Sequence, residues 1–152
     1  PMTTTTRVLP LPAARAWDLV ADARNHARWV PLTRVDVADG YVVAVTGPRA
    51  RRGGGGLVDR MRIDRFDPPH DDRPGVAEFT KVGRVLRGTA RIEVHAAGPD
   101  AARVSWTESV HLAGPLPDGL TRAASAPFLT LMVRRALRLA AHEAAQEDAR
   151  HL

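Results

Sequence analysis

The stretch from Val8 to Pro31 constrains this chain more than any other. It closes a β-branched run, Thr3 to Leu9, that suffices for a first strand. Pro12 then stands where proline is tolerated, in the first turn of a helix, and Ala13, Ala16, Trp17 and Val20 recur at helical spacing as one apolar stripe. Trp17 is therefore expected in the core. Asp22 and Asn25 can both cap a following helix, so the run to Trp29 reads as a second, kinked helix that Pro31 ends. One strand, two short helices and then a long series of strands is the order expected of a fold wrapped around a cavity.

From Leu32 the apolar period changes to two. Leu32 to Val37 and Tyr41 to Thr46 are strand candidates joined at Asp39-Gly40, a dipeptide suited to a tight hairpin turn. Leu57 to Phe66 follows a glycine run and stops at Pro68-Pro69. Val76 to Val82, Leu86 to Ala96 and Ala102 to Leu112 complete an antiparallel meander, broken at Gly83 and at Gly98-Pro99-Asp100. After Pro115 and Pro117 a last helix is expected from about Pro127 to Ala149, with Leu129, Val133, Ala136, Leu137, Ala140 and Ala144 along one side and Arg134, Arg138 and His142 on the other. The economical way to bury these faces is an α+β arrangement: a curved antiparallel sheet of six or seven strands, a long C-terminal helix across its concave side, and two short helices closing one end.

At 152 residues the chain fits a single domain, 1–152, and Pro1 ahead of Met2 reads as a cloning remnant. Apolar stretches are interrupted by arginine well short of a bilayer span, and no signal peptide is visible, so a cytoplasmic protein without a membrane span is expected. The absence of cysteine excludes disulfides, thiol catalysis and thiolate zinc sites. No two of the six histidines have the three- or four-residue helical spacing of a metal pair, so neither a metal nor another cofactor is expected. The net charge of +5 rests on arginine, Lys81 being the only lysine. Acidic residues are interspersed nearly everywhere, which argues against a nucleic-acid partner.

Several segments resemble the SRPBCC superfamily, also called START-like or polyketide cyclase/dehydrase-like proteins. They are Pro12 to Pro31 with Trp17 and Trp29-Val30-Pro31, Asp59-Arg60-Met61-Arg62-Ile63 leading to Phe66-Asp67-Pro68-Pro69, Gly88-Thr89-Ala90, and Val104-Ser105-Trp106-Thr107-Glu108. The resemblance covers nearly the whole chain and lies in the order of elements rather than in one motif. It implies a helix-grip fold with an internal cavity between sheet and C-terminal helix, in a superfamily whose members bind lipids, steroids or polyketides or cyclise polyketides. Fold alone does not choose among these.

Strand alternation nominates the wall of that cavity, since neighbours face opposite sides of a sheet. Leu57, Met61 and Ile63 share a face that carries Asp59 with them, and Val104, Trp106, Val110 and Leu112 share one that carries Glu108. Gly88, Ala90 and Ile92 start an inward set with very small side chains, which leaves room for a ligand. Within Val76 to Val82 two registers are open: one turns Glu78 inward, the other Lys81. Asp59 and Glu108 either pair with an arginine such as Arg60, Arg62 or Arg87, or have a pKa raised by an apolar pocket and act as general acid or base. Trp29 and Trp106 serve as core or as ligand platforms, and Tyr41 faces solvent or a pocket rim. His26 and His111 fall outside the inward sets and read as surface residues. Arg49 to Gly56 lacks the partner residues of a phosphate loop and reads as a mobile hairpin loop, able to serve as a lid.

The expected function is binding of a hydrophobic or aromatic small molecule by Trp29, Tyr41, Leu57, Met61, Ile63, Gly88, Ala90, Ile92, Trp106, Leu129 and Val133, oriented by Asp59 or Glu108. The alternative is a cofactor-independent polyketide aromatase/cyclase with those two carboxylates moving protons.

Overall fold

The computed structural model describes residues 2–150, with side chains throughout except at 118, 119, 121–126, 128, 129 and 148. The elements run β1 (Thr3–Leu9), α1 (Ala13–Val20), α2 (Ala23–Trp29), β2 (Thr33–Ala38), β3 (Tyr41–Thr46), a 3-10 turn (Ala50–Arg52), β4 (Leu57–Asp67), β5 (Gly75–Val82), β6 (Leu86–Ala96), β7 (Ala102–Leu112) and α3 (Asp118–Arg150). The strands form one antiparallel sheet in the order β1-β7-β6-β5-β4-β3-β2. This is the helix-grip arrangement, with the long helix last and two short helices after the first strand.

Local chemistry explains most boundaries. Pro12 is the N-cap of α1, and the Asp22 side chain accepts the Arg24 N–H at 3.0 Å at the start of α2. Asn25 does a different job from the expected cap: its amide donates to Leu19 O at 2.9 Å and so satisfies a carbonyl at the C-terminus of α1. Asp39 and Gly40 both take positive φ, +53° and +77°, as a two-residue hairpin turn of this hand requires. A register shift between Ile63 and Arg65 bends β4 where it meets β5.

α3 is longer than the sequence indicates. Proline is favoured at a helix start, which made Pro127 the natural first residue, yet the helix begins at Asp118 and Pro127 lies inside it. The Leu120 N–H donates to Pro117 O at 3.0 Å at this earlier start. Val133, Ala136, Leu137, Ala140 and Ala144 are all buried, as the apolar stripe requires, and α3 rests on β7, β1 and α2. The core is completed by Leu9, Trp17, Val20, Trp29, Ile92, Val94 and Val104.

Candidate functional site

Across the concave face the register places three inward rungs side by side. The first joins Val42, Met61, Lys81, Gly88 and Val110; the second Ile63, Phe79, Ala90, Glu108 and Thr3; the third Phe66, Ala77, Ile92, Trp106 and Thr5. The open register of β5 is thus resolved: Ala77 and Phe79 are buried inward, and Lys81 follows them. The chain's one lysine ends on its inner wall.

Lys81 Nζ forms an ion pair with Asp59 Oδ2, lies 3.9 Å from Glu108 Oε1, and sits 3.5 Å from the Met61 thioether. The arginine partners expected for the two acids are not used, because Arg60, Arg62 and Arg87 alternate to the outer face. Lys81 and Glu108 are only 5% and 6% exposed, so both ends of the pair are removed from water. They belong to strands that flank β6, roughly 9–10 Å apart, and can meet only if the strand between them is bare. Gly88 and Ala90 supply that bare surface.

The space expected at Gly88 is therefore not ligand space. Gly88 has φ +136°, and a Cβ there would come within 1.9 Å of Ser109 O, so a neighbouring backbone already occupies the position. Above it the protein's own Lys81 and Glu108 meet. Ala90 and Ile92 are buried in the core.

Burial pushes the Glu108 carboxyl above the ordinary glutamate range; the Asp59 charge adds to this, while Lys81 and the Trp106 indole pull the other way. Four polar atoms of this wall are buried without a hydrogen-bond partner: Thr5 Oγ1, Asp59 Oδ1, Trp106 Nε1 and Glu108 Oε2. Since the raised pKa keeps a proton that the unfolded chain releases above pH 4.5, this group's contribution to stability falls as pH rises from there through its folded value. Urea unfolding of wild type and Glu108→Gln across pH 4–8 should show the wild type losing about 1.4 kcal/mol per pH unit relative to the variant within that window. Parallel curves would mean that Glu108 titrates normally.

His26, read from the sequence as a surface residue, is half-buried with its ring turned to the two tryptophans. Its ring lies 4.8 Å from that of Trp106 and 5.6 Å from that of Trp29, and its Nε2 is 2.8 Å from Val20 O. Burial lowers its pKa; the Val20 carbonyl and Asp22 oppose this, and Lys81 adds to it. Helical periodicity of α2 was too short to reveal which face it presents. Trp29 is buried and donates its indole N–H to Glu143 of α3 at 3.1 Å, making it a tie between helices.

A cavity of about 660 Å³ opens between the α1–α2 junction and the sheet, lined by Trp17, Asp18, Ala21, Asp22, Ala23, Arg24, Val37, Val42, Ile63, Phe66 and Phe79. Of the described residues expected to grip a ligand, Ile63 lines it. Met61 is half-buried one inward step further along β4, and Trp106 is on the wall beside Glu108. Tyr41 turns to the outer face, where the Arg60 guanidinium lies 4.2 Å from its ring centre. Leu57 is exposed at the start of β4, Val133 is packed in the core, and the Leu129 side chain lies outside the described ones. The polar cluster lies beyond the cavity wall, one inward position on β5 (Phe79 to Lys81) and two on β4 (Ile63 through Met61 to Asp59), each step being roughly 7 Å.

The second hollow, about 540 Å³, is lined by Ala27, Arg28, Thr33, Arg34, Val35 and Arg51. Its arginines are engaged: Arg51 donates to Ala27 O at 2.7 Å, and Arg28 pairs with Glu143 at 2.6 Å. The Arg49 to Gly56 segment, expected to be a loose lid, is thereby fastened to the end of α2, with Ala50 fully buried. Among the described residues no group of three metal-ligating side chains is present, and no helix is long and apolar enough to cross a membrane.

A family model described as polyketide cyclase / dehydrase and lipid transport matches residues 2–145. A START superfamily protein from Mycobacterium smegmatis has the same fold, with 13% identity, TM-score 0.68, and 93% of this chain and 97% of that one covered. The Zhui aromatase/cyclase from Streptomyces sp. R1128 superposes with TM-score 0.62 at 18% identity over 99% and 93% of the two chains. A Thermus thermophilus protein, TTHA0849, does so with TM-score 0.67 at 17% identity over 97% and 99%. No curated protein matches the sequence. With the fold, the cavity and a family match over almost its full length, the chain belongs to the polyketide cyclase/dehydrase and lipid-transport family.

Proposed function

We propose that the protein binds a hydrophobic or aromatic small molecule, lipid- or polyketide-like, in the cavity between the α1–α2 junction and the sheet, with the ligand's polar end turned toward Lys81, Asp59 and Glu108. The observation that carries this reading is the row of buried, unpartnered polar atoms beside an apolar cavity wall. A buried polar group left unsatisfied costs roughly 1–3 kcal/mol, and a buried ion pair of this kind is seldom favourable over apolar packing. A ligand hydroxyl or carbonyl would supply the missing partners. Native mass spectrometry together with displacement of an apolar fluorescent dye tests the proposal. One-to-one uptake of dye or of an extracted metabolite is expected; a protein that takes up neither has no binding cavity.

The raised Glu108 pKa beside an ionised Asp59–Lys81 pair favours a second reading, a cofactor-independent polyketide aromatase/cyclase. Asp59 would take a proton from a methylene flanked by carbonyls, Lys81 would stabilise the enolate, and Glu108, in its protonated form, would give its proton to the carbonyl oxygen that the new carbon–carbon bond converts to a hydroxyl. Asp59→Asn and Glu108→Gln should then lower turnover of a poly-β-ketone by roughly 10²–10⁴-fold while binding persists. Full rate in both variants would eliminate this chemistry.

A further inference from the structure

The end of the sheet farthest from the α1–α2 cavity carries a surface that the binding reading does not use. There the start of β4, the β5–β6 turn and the link from β7 into α3 converge. Thr46 pairs with Leu57 and Leu86 with Leu112, the Ala113 N–H donates to Val85 O at 2.8 Å, and a Cβ on Gly83 would lie 3.5 Å from Val58 O. Five large apolar side chains stand out at this end: Leu57, Val58, Val85, Leu116 and Leu120, between 45% and 60% exposed. Single exposed apolar residues are ordinary, but five converging on one end are not.

Arginine predominates around them, although Asp118 lies between Leu116 and Leu120 in the sequence. Arg49, Arg52, Arg84 and Arg87 are exposed there, and none has an acidic partner among the described residues. Elsewhere on the outer face Arg62, Arg65 and Arg91 each pair with a carboxylate two residues along the same strand. Between residues 46 and 60, and between 80 and 88, the only acid is Asp59, which points inward to Lys81. Protruding leucine and valine side chains beside exposed arginines that have no acidic partner among the described residues suit an interface in which apolar tips enter a hydrocarbon boundary while guanidinium groups meet anionic headgroups.

We propose that this end of the molecule docks on the surface of an anionic lipid bilayer. A flat acidic protein would satisfy the arginines but would leave the protruding apolar tips without a hydrocarbon phase to enter. The inference is independent of what the cavity holds. It is tested by co-sedimenting the full chain with vesicles of phosphatidylcholine alone and of phosphatidylcholine with roughly 30% phosphatidylglycerol, at low salt and at about 0.5 M salt. Binding is expected to the anionic vesicles only and to weaken strongly at high salt. Arg84→Ser with Arg87→Ser should lower the partition coefficient on the order of twentyfold, each arginine near the surface being worth roughly fivefold. Leu116→Ser with Leu120→Ser should also release the protein from vesicles, and both double variants should unfold as the wild type does, because the altered side chains are exposed. No binding to anionic vesicles, equal binding to neutral ones, or wild-type binding by both double variants would each overturn the proposal. Retention on immobilised polyglutamate without vesicle binding would do so as well, assigning the surface to an acidic macromolecule.

Discussion

Replacing Lys81 with methionine is expected to destabilise the fold by about 3–5 kcal/mol at pH 7, since removing one partner of a buried ion pair leaves its counterion without compensation. Here two carboxylates are affected. Asp59 would lose its ion pair and Glu108 its nearest cation, with Asp59 Oδ1 and Glu108 Oε2 unpartnered already. The substitution conserves length and apolar stem, so the loss is electrostatic rather than a cavity effect. The triple change Lys81→Met, Asp59→Asn and Glu108→Gln should therefore recover at least half of the stability, although it contains more substitutions. Urea unfolding measures both. A single variant that loses less than about 1 kcal/mol would mean the cluster is solvated and behaves as a surface pair.

The second large effect is expected at Gly88. An alanine there would place its Cβ 1.9 Å from Ser109 O at a φ of +136°, combining an impossible backbone contact with a conformation that side chains rarely adopt. Overpacking and backbone strain together should cost about 3 kcal/mol or more. Gly40 provides the control: its φ is +77°, yet nothing lies within 4 Å of a Cβ there. Gly40→Ala should cost only the left-handed backbone penalty, about 1–2 kcal/mol. Thermal unfolding that ranks the two variants equally would show that the contact between β6 and β7 at Gly88 relaxes freely.

Much of the architecture was written in local patterns. The proline before Ala13, the Asp39-Gly40 turn and the change of period at Leu32 each act within a few residues, and the structure realises all three. Alternation also placed Asp59 and Glu108 on the inner face. What alternation could not supply was the partner. Lys81 lies on a strand whose apolar residues, Val76, Ala77, Phe79 and Val82, fall in both phases, so alternation gives it no preferred face. Pairing Glu108 with Lys81 across β6 depends on long-range register, which no local signal encodes. The same limit explains Gly88, a small residue that marks a close backbone approach as readily as a void. It also hides from the sequence the cavity at the α1–α2 junction, whose lining comes from that junction and four different strands.

Ligand recognition as proposed requires a hollow with an apolar wall whose far side offers Asp59, Lys81 and Glu108 to a ligand's polar end. Titration calorimetry with 1-naphthol and with 1-methylnaphthalene, equal in shape but differing by hydroxyl against methyl, tests this most directly. A hydrogen bond to a charged group contributes roughly 1.5–3 kcal/mol, so wild type should bind the naphthol at least about tenfold more tightly. The triple variant Lys81→Met, Asp59→Leu and Glu108→Leu, which removes every polar group of the cluster, should bring the two affinities together. A wild-type protein that binds both compounds equally, or a preference that survives in the triple variant, would contradict the assignment of this cluster to ligand recognition.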